Sequence, residues 1–321
     1  MGLYNMKRAK LRLSLGLYLA SLLIVSGMVF HAPKAQAKFI AVTMSAEDNF
    51  RNILSSHIEA AVDARNDQVY IDSAEDDFDV QMAQVKSYIA AGADAIIIFA
   101  VGTTEKNRQL FELAKQVPLV FINTEPVEDM STMPANTVYV GSNELESGTL
   151  EMEELARLAG YKGNVALLQG AKSHKAAIVR TQDVVDVVAK YPNMKIVAQE
   201  TGNWARNEAY KIVTDWLKKG MNFDIVAANN DEMAIGSIMA MRDSGKNPKN
   251  YLIGGVDATK DALLEMGKGD LNVTVLQDAE NQGKDAVDIA YKLINREKVK
   301  NPHWVPFRLV TKDNYRQFIK E

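Results

Sequence analysis

The sequence has no cysteine, which removes disulfides, thiolate metal sites and a cysteine nucleophile together. Its 8 prolines and 19 glycines among 321 residues are too few for a collagen-like or low-complexity chain, and 47% hydrophobic content is too high for a disordered one. Basic charge is also scarce. The formal net charge is −4, yet five basic groups (Lys7, Arg8, Lys10, Arg12 and Lys34) fall within the first 37 residues, which hold no acid. The other 284 residues therefore carry 32 basic against 41 acidic groups, a balance of −9. A body this acidic repels phosphate backbones, which argues against nucleic-acid partners. Enzyme signatures are missing as well: there is no Gly-x-Ser-x-Gly elbow, His-Glu-x-x-His helix or phosphate loop. Gly102-Thr103-Thr104 is too sparse for a nucleotide loop and reads as a helix start. Paired carboxylates such as Asp48 and Asp257 are the groups a glycosidase would use, but nothing else accompanies them. Neither an enzyme nor a cofactor is expected.

One long apolar run is present, Leu13 to Phe30, broken only by small or weakly polar residues. It follows a basic stretch and precedes Pro33 and Ala35-Gln36-Ala37, the small-x-small pattern that a signal peptidase needs. Residues 1–37 are therefore expected to be a signal peptide cleaved near Ala37, and the mature chain to begin near Lys38 and be soluble in a bacterial periplasm. The alternative is an uncleaved anchor, since about 18 apolar residues just span a bilayer. With no cysteine at the cleavage point, a lipoprotein is excluded.

At about 150 residues per domain, the length gives a prior of two domains. After Lys38, short apolar runs alternate with helical patterns. The runs are Phe39–Met44, Gln68–Ile71, Ala95–Phe99, Leu119–Ile122, Val138–Val140, Val165–Leu168, Ile196–Ala198, Ile225–Ala228, Leu252–Val256 and Val273–Leu276. Most are apolar throughout, as strands covered on both faces must be. Strict alternation predicts an α/β fold with parallel sheets. Ten strands exceed one doubly wound domain, so two similar lobes of about five strands each are expected.

Ligands of such sheets bind beyond the carboxyl ends of the strands. Here those positions are rich in polar and aromatic groups. Met44 is followed by Asp48-Asn49-Phe50, Ile122 by Asn123, and Leu168 by a loop with His174 and then Arg180. Ala198 leads to Asn203-Trp204, Ala228 to Asn229-Asn230-Asp231, Val256 to Asp257, and Leu276 to Gln277-Asp278. Carboxylates and amides pair with hydroxyls, while aromatic faces cover C–H patches, a set suited to a neutral polyol. Each residue also has a plainer reading. Asp48, Asn230 and Asp257 could be helix N-caps. His174 alone reads as a surface residue, and Arg180, beside Ile178, Val179, Val184 and Val185, could be half-buried and paired. Trp204 lies between polar Asn203 and Arg206 and suits a ligand face, whereas Trp216 sits on an apolar helical stripe and suits a core. Trp304, after His303 and before a late strand, reads either way. The functional reading rests on seven strand ends converging on one chemistry.

These residues resemble the periplasmic sugar-binding proteins of ABC transporters, the ribose, galactose/glucose and inositol-binding group. The resemblance runs from Lys38 to the C-terminus. It rests on Asp48-Asn49-Phe50, Val120-Phe121-Ile122-Asn123-Thr124-Glu125-Pro126, His174 with Arg180-Thr181, Asn203-Trp204-Ala205-Arg206, Ala228 through Ala234, Gly255-Val256-Asp257-Ala258 and Thr274 through Asp278. The ending Trp304-Val305-Pro306-Phe307 with Val310-Thr311 looks most like the inositol- and rhizopine-type branch. The resemblance implies a type I periplasmic binding protein whose two lobes, 38–142 plus 279–306 and 143–278 plus 307–321, join through a three-segment hinge near 141–144, 277–280 and 304–308. Phe50 and Trp204 would sandwich a monosaccharide or cyclitol ring. Asp48, Asn123, His174, Arg180, Asn230, Asp257 and Gln277 would bond its hydroxyls, with Asn49 counted in the same site.

The sequence departs from its relatives at Ala176, where the galactose/glucose binders carry an Asp, and at Thr124, where the ribose binders carry an Arg. The calcium loop of the galactose/glucose binders is absent at Ala159–Gly163, so no metal is expected. Partners implied are an ABC transporter permease or, as the alternative, a chemoreceptor or sensor kinase, with the protein itself a monomer. A sugar-responsive repressor would need a basic DNA-binding head where the export signal stands.

Overall fold

The computed structural model describes residues 37–319. The expected signal peptide lies, apart from Ala37, outside the described residues, as do residues 320 and 321. No described helix is long and apolar enough to cross a membrane.

The first half alternates as expected: β1 (Phe39–Met44), α1 (Asn49–Asp63), β2 (Gln68–Ser73), α2 (Phe78–Ala90), β3 (Ala95–Ile98), α3 (Thr104–Phe111), β4 (Leu119–Ile122) and β5 (Thr137–Gly141). The second repeats the pattern: α4 (Ser147–Leu158), β6 (Lys162–Gln169), α5 (Lys175–Ala189), β7 (Asn193–Thr201), α6 (Arg206–Lys218), β8 (Ile225–Ala228), α7 (Asp231–Asp243), β9 (Leu252–Gly254), α8 (Lys260–Lys268) and β10 (Val273–Leu276). Then come α9 (Ala279–Ile294), β11 (His303–Trp304) and β12 (Arg308–Thr311). Side-chain caps start the helices where Asp, Asn and Thr precede them: Asp48, Asp77, Thr103, Asn230, Thr259 and Asp278 each accept a first-turn N–H. Thr103 confirms that Gly102-Thr103-Thr104 opens a helix.

The strands form two six-stranded sheets of one topology, β11-β5-β4-β3-β1-β2 and β12-β10-β9-β8-β6-β7. All pairings are parallel except β10 with β12. Each sheet is covered on both faces. In the first, Leu54, Ile58 and Val62 of α1 and Ala286, Val287 and Ala290 of α9 pack on one face, and Val85, Tyr88, Leu110 and Phe111 on the other. In the second, Met152, Leu155, Val184 and Val187 cover one face, and Val213, Trp216, Met233 and Ile238 the other. Trp216 is thus core, 1% exposed. A fully buried Leu or Ile contributes about 2 kcal/mol, which explains why the strands themselves are continuous apolar runs.

Among the described residues, twelve strands replace the ten expected. β11 and β12 are two and four residues long and lie at sheet edges, too short for a periodic signal. Trp304 is 41% exposed there, its ring edge-on to Tyr139 at 5.6 Å. The run read as Leu252–Val256 ends as a strand at Gly254. The chain passes between the sheets three times: after β5, after β10 and between β11 and β12. In each sheet the first strand, β1 or β6, has its successor on one side and the next strand on the other. Such a switch point opens a crevice at the strand C-termini.

Candidate functional site

The strand ends of both sheets meet around one cavity of about 80 Å³, where about 10–15 Å³ holds a single water. The first sheet supplies Asp48 and Phe50 after β1, Phe99 after β3 and Asn123 after β4. The second supplies His174 after β6, Trp204 after β7, Asn230 after β8, Asp257 after β9 and Gln277 after β10, with Arg180 from within α5. Nine of the ten residues expected in the site line it.

Asn49 is not among the lining residues. One residue advances a helix by about 100°, so Asn49 points away from Phe50's side, is exposed, and donates from Nδ2 to Glu232 Oε1 at 3.1 Å. Glu232 is itself held by Arg206 at 2.8 and 2.9 Å. A second link between the two halves joins Lys175 to Glu125.

Asp48 and Asn230 both cap helices and line the cavity. Asp48 accepts from Arg51 N–H at 2.7 Å, and Asn230 from Met233 N–H at 3.0 Å. Asp257 is no cap, because Thr259 starts α8 instead. Its backbone has φ +123°, its residue is 8% exposed, and among the described residues no protein group hydrogen-bonds its carboxyl. Burial pushes this carboxyl well above the usual range, with Arg180 pulling it partly back. A neutral carboxyl can both donate to and accept from a hydroxyl. Asn123 sits at φ +63°, which Asn tolerates better than most residues. Its Nδ2 donates to Gln282 at 3.0 Å, and Gln282 donates to Ser142 at 3.1 Å.

Trp204 donates from its indole N–H to His174 Nδ1 at 3.0 Å, which fixes the neutral imidazole with its proton on Nε2. Burial lowers the pKa of His174, and nearby Arg51 adds to that, keeping the ring neutral. Arg180 is 3% exposed. It donates to both oxygens of Glu144 at 3.0 and 3.1 Å and to the Asn229 carbonyl at 2.8 Å. Its guanidinium lies 5.7 Å from the Trp204 ring. The paired reading of Arg180 and its place in the lining both hold.

Several lining residues escaped the sequence reading. Glu144 is 6% exposed in the first passage between the sheets, where it also accepts from Gln277 Nε2 at 3.3 Å. It thus orients two cavity side chains that lie 36 and 133 residues away. Arg51 pairs with Asp48 at 3.5 Å and stacks over Phe99 at 5.2 Å. The positive charges in the lining are therefore each matched by a carboxylate, and the surface left for a ligand is that of a neutral polar ring site.

Behind the cavity, Glu151 is fully buried and accepts from Ala228 N–H at 3.0 Å. Burial raises its pKa to about 8 and that of Asp231 to about 7. Both groups bind protons more tightly folded than unfolded, so their contribution to stability is full below about pH 4 and is lost as pH rises toward 7–8. Chemical denaturation of wild type and Glu151→Gln from pH 5 to 8 is expected to show the wild type losing stability relative to the variant, by up to about 1.4 kcal/mol per pH unit. Parallel curves would mean that Glu151 does not hold a proton in this range.

Residues 40–298 match the family model for the periplasmic binding protein domain. A protein of Rhizobium meliloti named for rhizopine binding is 39% identical over 300 residues, covering 92% of this chain and 96% of its own. The D-galactose/methyl-galactoside binding periplasmic protein of Haemophilus influenzae is 27% identical over 300 residues, covering 85% and 89%. Among solved structures, an ABC transporter solute binding protein from Bacillus halodurans with bound myo-inositol has a TM-score of 0.81 and 32% identity, over 88% of this chain and 96% of that one.

Proposed function

The chain belongs to the periplasmic binding protein family, and from that membership we propose that it captures a neutral monosaccharide or cyclitol between its two lobes and delivers it to an ABC transporter permease. The family is one of solute binders rather than enzymes, and it works in the periplasm. Solute-binding relatives that serve ABC transporters favour delivery over the sensory alternative. The observation that carries the reading is the single cavity where Phe50 and Trp204 meet Asp48, Asn123, His174, Arg180, Asn230, Asp257 and Gln277 from both sheets.

In this reading Phe50 and Trp204 cover the faces of the ring, and the polar side chains address its hydroxyls. Micromolar affinity corresponds to about −8 kcal/mol. Seven hydrogen bonds of about 1 kcal/mol net each, with ring stacking, reach that scale against the ordering costs. The lobes, 38–142 with 279–306 and 143–278 with 307–321, hinge at the three passages between sheets. A ligand touching both lobes at once stabilises the closed form, and the permease recognises that form. The protein works as a monomer, exported by a signal peptide removed near Ala37.

A thermal-shift screen of the mature protein against inositols, hexoses and pentoses tests the reading. A ligand at 100 times its dissociation constant is expected to add about 2.7 kcal/mol of stability. A flat response across all neutral polyols would overturn it.

A further inference from the structure

We propose that the fold carries a receiving site for its own processed amino terminus: the α-ammonium group that cleavage after Ala37 creates on Lys38 is held by Asp67, at the start of a central strand of the first sheet. This rests on the export reading above and extends it. β1 begins at Phe39, directly after Lys38, and lies between β2 and β3. Each neighbouring strand contributes a carboxylate from the residue just before it begins, Asp67 ahead of β2 and Asp94 ahead of β3. The Lys38 backbone nitrogen donates to Asp67 Oδ1 at 2.7 Å, and Lys38 Nζ donates to Asp94 Oδ1 at 3.1 Å. The second oxygen of each carboxylate is engaged as well. Asp67 Oδ2 accepts from the Tyr291 hydroxyl of α9, and Asp94 Oδ2 accepts from the Phe39 N–H at 2.8 Å.

Two carboxylates thus meet the two nitrogens of one residue, and processing decides the charge of the first. Before cleavage the Lys38 backbone nitrogen is a peptide amide, a single neutral donor. Hydrolysis of the Ala37–Lys38 bond consumes one water and leaves a carboxylate on Ala37 and an ammonium on Lys38. The 2.7 Å approach already has the length of an ammonium–carboxylate bond, and such bonds are roughly twice as strong as neutral ones. Arg65, whose guanidinium lies 4.8 Å from the Tyr291 ring, is itself engaged by Asp288. The Lys38 carbonyl accepts from Gln68 N–H at 2.8 Å, so the nitrogen is fixed beside Asp67 while Ala37 is exposed. These strand starts lie at the opposite end of the sheet from the strand ends that line the cavity, so the pairing acts on the stability of the mature chain.

Thermal unfolding of the mature chain at pH 7 tests this, with the chain starting either at Lys38 or at Ala37 and each form carrying Asp67 or Asp67→Asn. Retaining Ala37 moves the ammonium by about 3.8 Å along the chain and leaves a neutral amide on Lys38. The form starting at Lys38 is expected to melt about 2 °C or more above the form starting at Ala37, the scale of shift that one charge-assisted bond gives a chain of this length. Asp67→Asn is expected to remove that difference. Asp94→Asn, which alters the partner of Nζ and not of the α-nitrogen, is expected to keep most of it. Equal melting temperatures for the two termini overturn the proposal, as does a difference that survives Asp67→Asn undiminished. Amino-terminal sequencing of the exported protein tests the export reading separately. A start at any residue other than Lys38 overturns that reading and this proposal together, a result plainly different from the other two.

Discussion

Replacing Arg180 with methionine is expected to lower the unfolding free energy by about 3–5 kcal/mol and to abolish binding of any neutral ring at micromolar concentration. The guanidinium is buried, and its two hydrogen bonds to Glu144 and one to the Asn229 carbonyl tie α5 to the first passage between the sheets and to the end of β8. Removing it leaves the Glu144 carboxylate, 6% exposed, without its charge partner. Breaking a buried pair from one side is far costlier than removing both members. Glu144→Gln added to Arg180→Met is therefore expected to recover part of the lost stability while binding stays lost. Urea denaturation of the two singles and the double measures this coupling. Additive losses would mean that Glu144 does not act through Arg180.

Trp204→Ala is expected to weaken ligand binding at least about tenfold, equivalent to about 1.4 kcal/mol, because an aromatic ring face and the His174 orientation are lost together. The ring is held in an unusual place: Asn203 and Trp204 have φ of +50° and +66°, and the indole lies directly on Gly170. A Cβ at position 170 would stand 2.2 Å from the ring. Gly170→Ala, which removes no side chain of the cavity, is thus expected to displace the indole and weaken binding in the same direction as Trp204→Ala. Isothermal titration of both variants decides the matter. Unchanged affinity in Trp204→Ala would take this residue out of the site.

The parallel sheets were legible in the sequence because strands buried on both faces leave continuous apolar runs, and β1, β4, β8 and β10 end where those runs end. The polar residues just beyond them were legible for the same reason, since position relative to a strand end sets direction toward the crevice. Glu144 was not. It sits among Asn143, Leu145 and Glu146 with no local pattern, and its role comes wholly from distant partners. Phe99 passed for the last residue of a strand and Arg51 carried no local signal, yet the two stack on each other in the cavity. Asn49 lies outside the lining and bonds Glu232 instead, since adjacency to Asp48 and Phe50 in sequence says nothing about which side of α1 a residue takes. For Asp257, called a ligand residue, the plainer alternative of a helix cap falls away because the cap lies two residues later at Thr259.

The interlacing of the chain between the sheets bears on biogenesis. The first sheet is not closed by the segment that begins it: α9 covers its apolar face with Ala286, Val287, Ile289 and Leu293, and β11 completes its edge. Both come from residues 279–304, after nearly the whole second sheet. A nascent polypeptide still short of that point has only α1 to cover Ile40, Val42, Ile97 and Val120. The amino-terminal sheet therefore reaches its full packing only once residues 279–304 have been made, close to the end of synthesis.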